Sequence, residues 1–271
     1  MPSLDIPALI AAQPGRRRRA IILRPINPTA SMAQELAAII LPAATIWSGA
    51  LERIMAAYDP KPLGLIHDSP EEAQTAIEAA ASEFRSRLVA TITPALRNWV
   101  VRAERWHRAK WSGAVKAGTG IELSTVLTAG DVEETLGAFL ARNASLIRNI
   151  SDQAEQRIAD AVFRGYQNKT PAREVAKEVR EAAGMAGARS IRGASDKNAK
   201  LAAALDDERR AQAGISQYRW RHSQKLHYRP EHKARDGKIY ENGKPAGDTP
   251  GQLPFCGCRA QAYIPLEDEM D

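Results

Sequence analysis

"KLAAALDDERRAQAGISQYRWRH", residues 200–222, changes character at Gly214. Up to Ala213 it is built from alanine, leucine and long charged residues, the strongest helix formers. Glycine just past such a run is where helices stop. From Ile215 onward apolar and polar residues alternate, with Tyr218 and Trp220 on one side and arginines on the other, the two-residue period of a half-buried strand. The reading that follows is a mainly α N-terminal body with a small α+β C-terminal module.

Upstream of this boundary the signals are helical. "SPEE" (Ser69, Pro70, Glu71, Glu72) is a helix start: Ser69 caps, Pro70 takes the first helical position and Glu72 closes a capping box. An amphipathic helix is expected from there towards Lys116, kinked at Pro94. "TPAREVAKEV" opens another helix with Thr170 as cap and Pro171 first, and Gly184 is expected to end it. A helix is also expected over about 30–58, broken by "DPKPLG". Within it "LAAIILPAATIWSGAL", residues 36–51, carries no charge, but it is shorter than the roughly 20 residues a bilayer requires and contains Pro42. A buried helix, or one covered by a partner protein, is expected, and no membrane contact. Residues 1–28, punctuated by proline and carrying "GRRRR", read as a basic flexible arm. The domain reading is thus an arm over 1–28, a helical body over 29–184 and a C-terminal module over 185–271.

Downstream of Gly214, "DGKIYENGKP" offers a short strand with an Asn-Gly turn and "CRAQAYIPL" a closing strand. Four of the six tyrosines and three of the five histidines fall beyond residue 217, concentrating polar chemistry in a segment too small to fold comfortably on apolar burial alone. Both cysteines of the chain stand there as well, in "LPFCGCR". Cys256 and Cys258 are too close in sequence to bridge each other without strain. Three readings of the pair stay open: half of a metal site, two small buried residues, or a redox pair. For a metal, two thiolates with two imidazoles give zinc chemistry, and the ligands expected are Cys256, Cys258, His232 and one of His227 or His222. Zinc is the one candidate cofactor. His232 and Asp236, four residues apart among arginines, also resemble pieces of a nuclease site. Yet residues 219–244 hold eight basic residues against Glu231, Asp236 and Glu241, a balance better suited to touching phosphate than to hydrolysing it. No enzymatic activity is expected.

Charge points the same way. The chain of 271 residues has a net charge of +6, with 26% charged and 44% hydrophobic residues. An anionic partner such as nucleic acid is permitted. Candidate nucleic-acid-binding residues are Arg16, Arg17, Arg18, Arg19, Arg219, Arg221 and Lys225. Two cysteines suit a reducing compartment, and no secretory leader is expected, because the arginine run follows the first apolar stretch.

"AGISQYRW", "RPEHKARDGKIY" and "PFCGCRA" together resemble the C-terminal module of the phage Mu F-like minor head proteins, the head morphogenesis family related to the minor head protein of Bacillus phage SPP1. The shared pattern falls on Trp220, Arg229, His232, Asp236, Gly237, Pro254, Cys256 and Cys258. Here Leu253 stands where relatives often carry histidine. The resemblance implies a structural cluster of Trp220, Arg229, His232, Asp236, Gly237, Cys256 and Cys258. It also implies a minor capsid protein of the virion interior, assembled in the host cytoplasm, with portal protein or major capsid protein as partner and packaged DNA nearby. The rival readings are a zinc-clipped nucleic-acid-binding protein and a metal-dependent nuclease.

Overall fold

A computed structural model describes residues 4–13, 19–58, 69–123 and 126–266. In chain order its elements are helix α1 (Ile6–Ala11), strand β1 (Ala20–Ile22), helices α2 (Ala30–Tyr58) and α3 (Ser69–Arg87), a π-helical turn (Leu88–Ile92), helices α4 (Thr93–Thr119), α5 (Glu133–Asn168) and α6 (Ala172–Gln212), strand β2 (Gln217–Arg221), helix α7 (Pro230–Ala234), and strands β3 (Ile239–Glu241) and β4 (Arg259–Pro265). The expected class, a mainly helical body with a small antiparallel sheet near the C-terminus, is what the structure has. The chain divides into two compact units, one of residues 1–33, 100–139 and 195–271, the other of residues 34–99 and 140–194.

The second unit is a helical core of small and branched side chains. Trp47, Ala50, Ile54 and Tyr58 of α2 pack with Ala73, Ile77 and Ala80 of α3, Ile158 and Val162 of α5, and Val175 and Val179 of α6. Alanine here allows close helix approach, and Gly165 goes further: a Cβ there would lie 2.6 Å from Val175 Cγ2 and 2.7 Å from the Tyr58 hydroxyl. By length and composition α2 is apolar enough to cross a membrane, and about 25% of its most apolar stretch is buried; Trp47, Ile54 and Tyr58 belong to this core. The proline at 94 leaves the carbonyl four residues back without its usual donor. The π-turn at Leu88–Ile92 stands at that place, and bulges of this kind are a recognised way to absorb such a break.

Two expectations about segments require correction. Gly184 does not end a helix: α6 runs unbroken to Gln212, so the expected boundary at 184/185 falls inside it. A mid-helix glycine costs about 1 kcal/mol, and burial of Val175, Val179, Ala182 and Ala183 on the same helix outweighs that. The described residues of 1–28 are not a free arm either. Asp5 caps α1 by accepting the Ala8 N–H at 2.9 Å, and the Ile6 N–H donates to the Ala213 carbonyl. Ile6 and Ile10, one turn apart, join Ile21, Leu23 and Ile26 in a core with Trp111, Val115, Ala262 and Ile264. β1 pairs antiparallel with β4, Ala20 opposite Pro265 and Ile22 opposite Tyr263. Burying isoleucine and leucine side chains at about 1.5–3 kcal/mol each holds the segment down. Arg16, Arg17 and Arg18 lie outside the described residues.

The sheet has the order β1-β4-β2-β3, all antiparallel. α6 ends as its sequence requires. Gly214 adopts φ +68°, and the Ile215 N–H returns to the Arg210 carbonyl at 2.9 Å, closing the helix and launching β2. On β2 the alternation is real: Tyr218 and Trp220 are buried, facing Cys256, Cys258 and Ala260. Tyr218 stands opposite Ala262 and Trp220 opposite Ala260 in the register with β4.

Candidate functional site

Trp220 is the floor of the site. Its backbone pairs with the segment after α7, donating to the Lys238 carbonyl and accepting from the Gly237 N–H, both at 2.8 Å. Gly237 turns the chain there at φ +82°. α7 starts at Pro230, which needs no N–H partner in the first turn, and that short helix carries His232 inward to 2% exposure. The His232 ring meets the Trp220 ring edge-on, centroids 5.1 Å apart.

Both nitrogens of His232 are engaged. Nε2 lies 2.9 Å from Asp248 Oδ1. Asp248 also accepts from Arg235 at 2.5 Å through its other oxygen, and the Arg235 guanidinium lies over Trp220, 5.1 Å from the ring centre. In the tautomer that donates its Nε2–H to this carboxylate, the Nδ1 lone pair faces inward. There it meets Cys256 Sγ at 3.5 Å and Cys258 Sγ at 3.7 Å. The ligand atoms of all three residues lie within 4.8 Å of one another, and all three side chains are buried.

The loop that delivers the cysteines is tightly constrained. The Cys256 N–H turns back to the Leu253 carbonyl at 3.1 Å. Phe255 adopts φ +59°, an uncommon conformation for a bulky residue, with its N–H held by Asp196 at 2.6 Å. Gly257 has to be glycine, because a Cβ would sit 2.8 Å from Lys225 Cε and 2.9 Å from Ser223 Cβ. The Gly251 N–H donates to Cys256 Sγ at 3.4 Å. Hydrogen bonding from Cys258 favours the thiolate at Cys256 and pulls its pKa down to about 5 against the effect of burial, while Cys258, holding the shared proton, is pushed up.

The other residues singled out from sequence are placed as follows. Arg229 donates to the Pro254 carbonyl at 3.1 Å and so ties the start of α7 to the cysteine loop. Asp236 is not one of the three residues whose ligand atoms meet: it accepts the His222 N–H at 2.8 Å and pairs with Arg221 at 3.6 Å. His227 is exposed and outside the cluster, and His222 is buried against Tyr228, its Nδ1 accepting the Gln224 N–H. Arg219 donates to Gln261, Lys225 to the Phe255 carbonyl, and the Arg19 carbonyl accepts from Leu266. Asp248 and Arg235 have no counterpart in the sequence reading. Asp248 sits in the loop "GDTPGQ", where an aspartate reads as a turn residue.

A small antiparallel sheet in which β2, the short helix α7 and the loop before β4 meet in a buried Trp-His-Cys-Cys cluster is the class of module defined by these elements. Residues 152–261 match the family described as Phage Mu protein F like protein. The matched stretch is similar to that family over less than half of the chain, and it takes in all of α6. A further relative, an uncharacterized protein of Haemophilus influenzae (strain ATCC 51907 / DSM 11121 / KW20 / Rd), is 30% identical over 173 residues, 63% of this chain. The aligned part spans 38% of that relative's length. No solved structure matches the chain.

Proposed function

We propose that the chain is a non-enzymatic minor head protein of a phage or prophage particle. In this reading its helical unit docks on the portal or the major capsid protein, and its C-terminal module faces the packaged DNA in the capsid interior. The protein would be taken into the head during assembly in the host cytoplasm. The match of residues 152–261 to the Mu F-like family carries the reading. The geometry supports a structural rather than hydrolytic module: Asp236 is spent on the His222 N–H and Arg221, and Asp248 on His232 and Arg235.

For DNA the support is a basic, partly apolar face formed by the loops around residues 225–233 and 253–257. Lys225 and Lys233 are exposed there beside Leu226 (87% exposed) and Phe255 (61%), and Arg221 is half exposed nearby. Such a face would track phosphates without reading sequence. Mass spectrometry of purified particles tests the reading, and absence of the protein from DNA-filled heads overturns it. DNA contact predicts binding without sequence preference that weakens steeply with salt, a dependence flattened in an Arg221→Ala/Lys225→Ala variant and again on replacing Arg16–Arg19 by alanine.

A further inference from the structure

We propose that His232, Cys256 and Cys258 bind one zinc ion per chain, through His232 Nδ1 and the two sulfurs, with Asp248 as the carboxylate that orients the imidazole. This goes beyond the head-protein reading and does not depend on it.

Distance is the first argument. With zinc–sulfur bonds of about 2.3 Å and zinc–nitrogen bonds of about 2.0–2.1 Å, a tetrahedral site needs sulfur-to-nitrogen edges of about 3.5 Å. The two edges found are 3.5 and 3.7 Å. The second argument is the tautomer. Metal-bound histidines usually give their remaining N–H to a carboxylate, and the Asp248 contact at 2.9 Å on Nε2 does this while leaving Nδ1 to face the thiols. Asp248 is itself fixed by Arg235, so the ring has little freedom to turn.

The third argument is the wall around the sulfurs. The Gly251 N–H points at Cys256 Sγ. The Trp220 indole N–H is buried without a hydrogen-bond partner, and Trp220 packs in one buried cluster with both cysteines. Donors aimed at sulfur compensate the negative charge that two thiolates bring to a soft cation. Three protein ligands leave one place, to be filled by water or another small ligand. His227 is not available for it, because it lies on the surface. The ion would join α7 to the loop before β4, a link the module otherwise makes only through hydrogen bonds.

The test uses the full chain purified from metal-limited medium and titrated with zinc or cobalt(II) alone. One metal per chain is expected by elemental analysis, and the cobalt form should show tetrahedral ligand-field absorption with thiolate charge transfer. Zinc should protect both cysteines of the unmutated chain from alkylation, a readout independent of how any variant folds. Cys256→Ser/Cys258→Ser should lose the metal, and Asp248→Asn should keep the stoichiometry with affinity lowered about 10–100-fold. His227→Ala should bind as the unmutated chain does. The proposal is overturned if the unmutated chain takes up no stoichiometric metal or if zinc leaves the alkylation rate unchanged. It also fails if the double cysteine variant binds as well as the unmutated chain, or if His227→Ala abolishes binding.

Discussion

The two compact units hold themselves together by different chemistry. Among the described residues, every buried charged side chain belongs to the unit containing the sheet, including Glu104, Asp206, Arg209, Arg210 and Arg259, whereas the helical unit buries only the neutral polar Asn143 and Ser151. The helical unit relies on shape and apolar area, non-directional forces that leave sequence free to vary if volume is kept. The sheet unit relies on placed partners. Arg209 is 1% exposed and donates to Glu104 at 3.0 Å, to the Thr128 carbonyl at 3.0 Å, to Gln212 at 3.1 Å and to Asp131 at 3.4 Å. His107 meets Asp206 at 2.9 Å in the same unit. Arg210 binds Asn242, so the turn between β3 and the following loop is fixed to α6. A buried ion pair is poor evidence of net stability but good evidence of intolerance to losing one partner.

The sharpest way to break this comparison is Arg209→Ala, which takes the buried Glu104 from two arginine partners to one, Arg108 at 3.3 Å, and removes a partner of Asp131 as well. A loss of about 3–5 kcal/mol is expected by chemical denaturation. Replacing the pair together, Glu104→Leu with Arg209→Met, should recover most of it, and failure to recover would mean that the remaining partners, Asp131 and Thr128, matter more than Glu104. In the helical unit the corresponding insult is steric. Gly165→Ala drives a methyl against Val175 and the Tyr58 hydroxyl, with about 1–3 kcal/mol lost. A cost near zero would show that this core yields where the packing looks tight.

Smaller still is Ser151→Ala, which keeps the Trp47 ring in place but removes the 2.9 Å bond from its indole N–H to the Ser151 hydroxyl, and about 1 kcal/mol should go with it. The least effect is expected from acid. Burial alone would raise the Asp131 pKa, but the Thr128 N–H at 2.6 Å and Arg209 more than offset this and hold it below the usual carboxylate value. A depressed carboxylate contributes stability above its unfolded pKa of about 3.9 and loses it as pH falls through the folded value. The slope of stability against pH below about 4 should therefore be shallower in Asp131→Asn, while Gly165→Ala leaves that slope unchanged.

The same contrast explains what could be read in the sequence. Helix is a local property, so alanine content, the Ser69 and Thr170 starts and the Gly214 stop were enough to place most of the helical body, and the alternation around Trp220 placed β2. Gly184 misled because propensity is weaker than the burial of its neighbours along α6. In the segment before residue 28 the charge run is conspicuous, but Ile6 and Ile10, at helical spacing, anchor α1 in the core and decide its placement. In the site, His232, Cys256 and Cys258 stood out by chemistry, and their meeting did not depend on sequence distance. Asp248 did not stand out, since its partner is 16 residues away across a loop whose course only the fold decides. Asp236, four residues from a histidine, has its role set by the fold as well: it accepts the backbone N–H of His222, next to the turn at Gly237.

The pairing of β1 with β4 also sets a timetable. Ala20 meets Pro265 across the sheet, so β1 waits during synthesis for a partner about 245 residues further along the chain. At about 5–20 residues per second the wait is roughly 10–50 s. During that interval Ile21, Leu23 and their neighbours lack the β4 side of their core, a natural opening for a chaperone. A fragment that starts after residue 30 would never close the sheet, and the bare edge of β4 would offer itself to other chains.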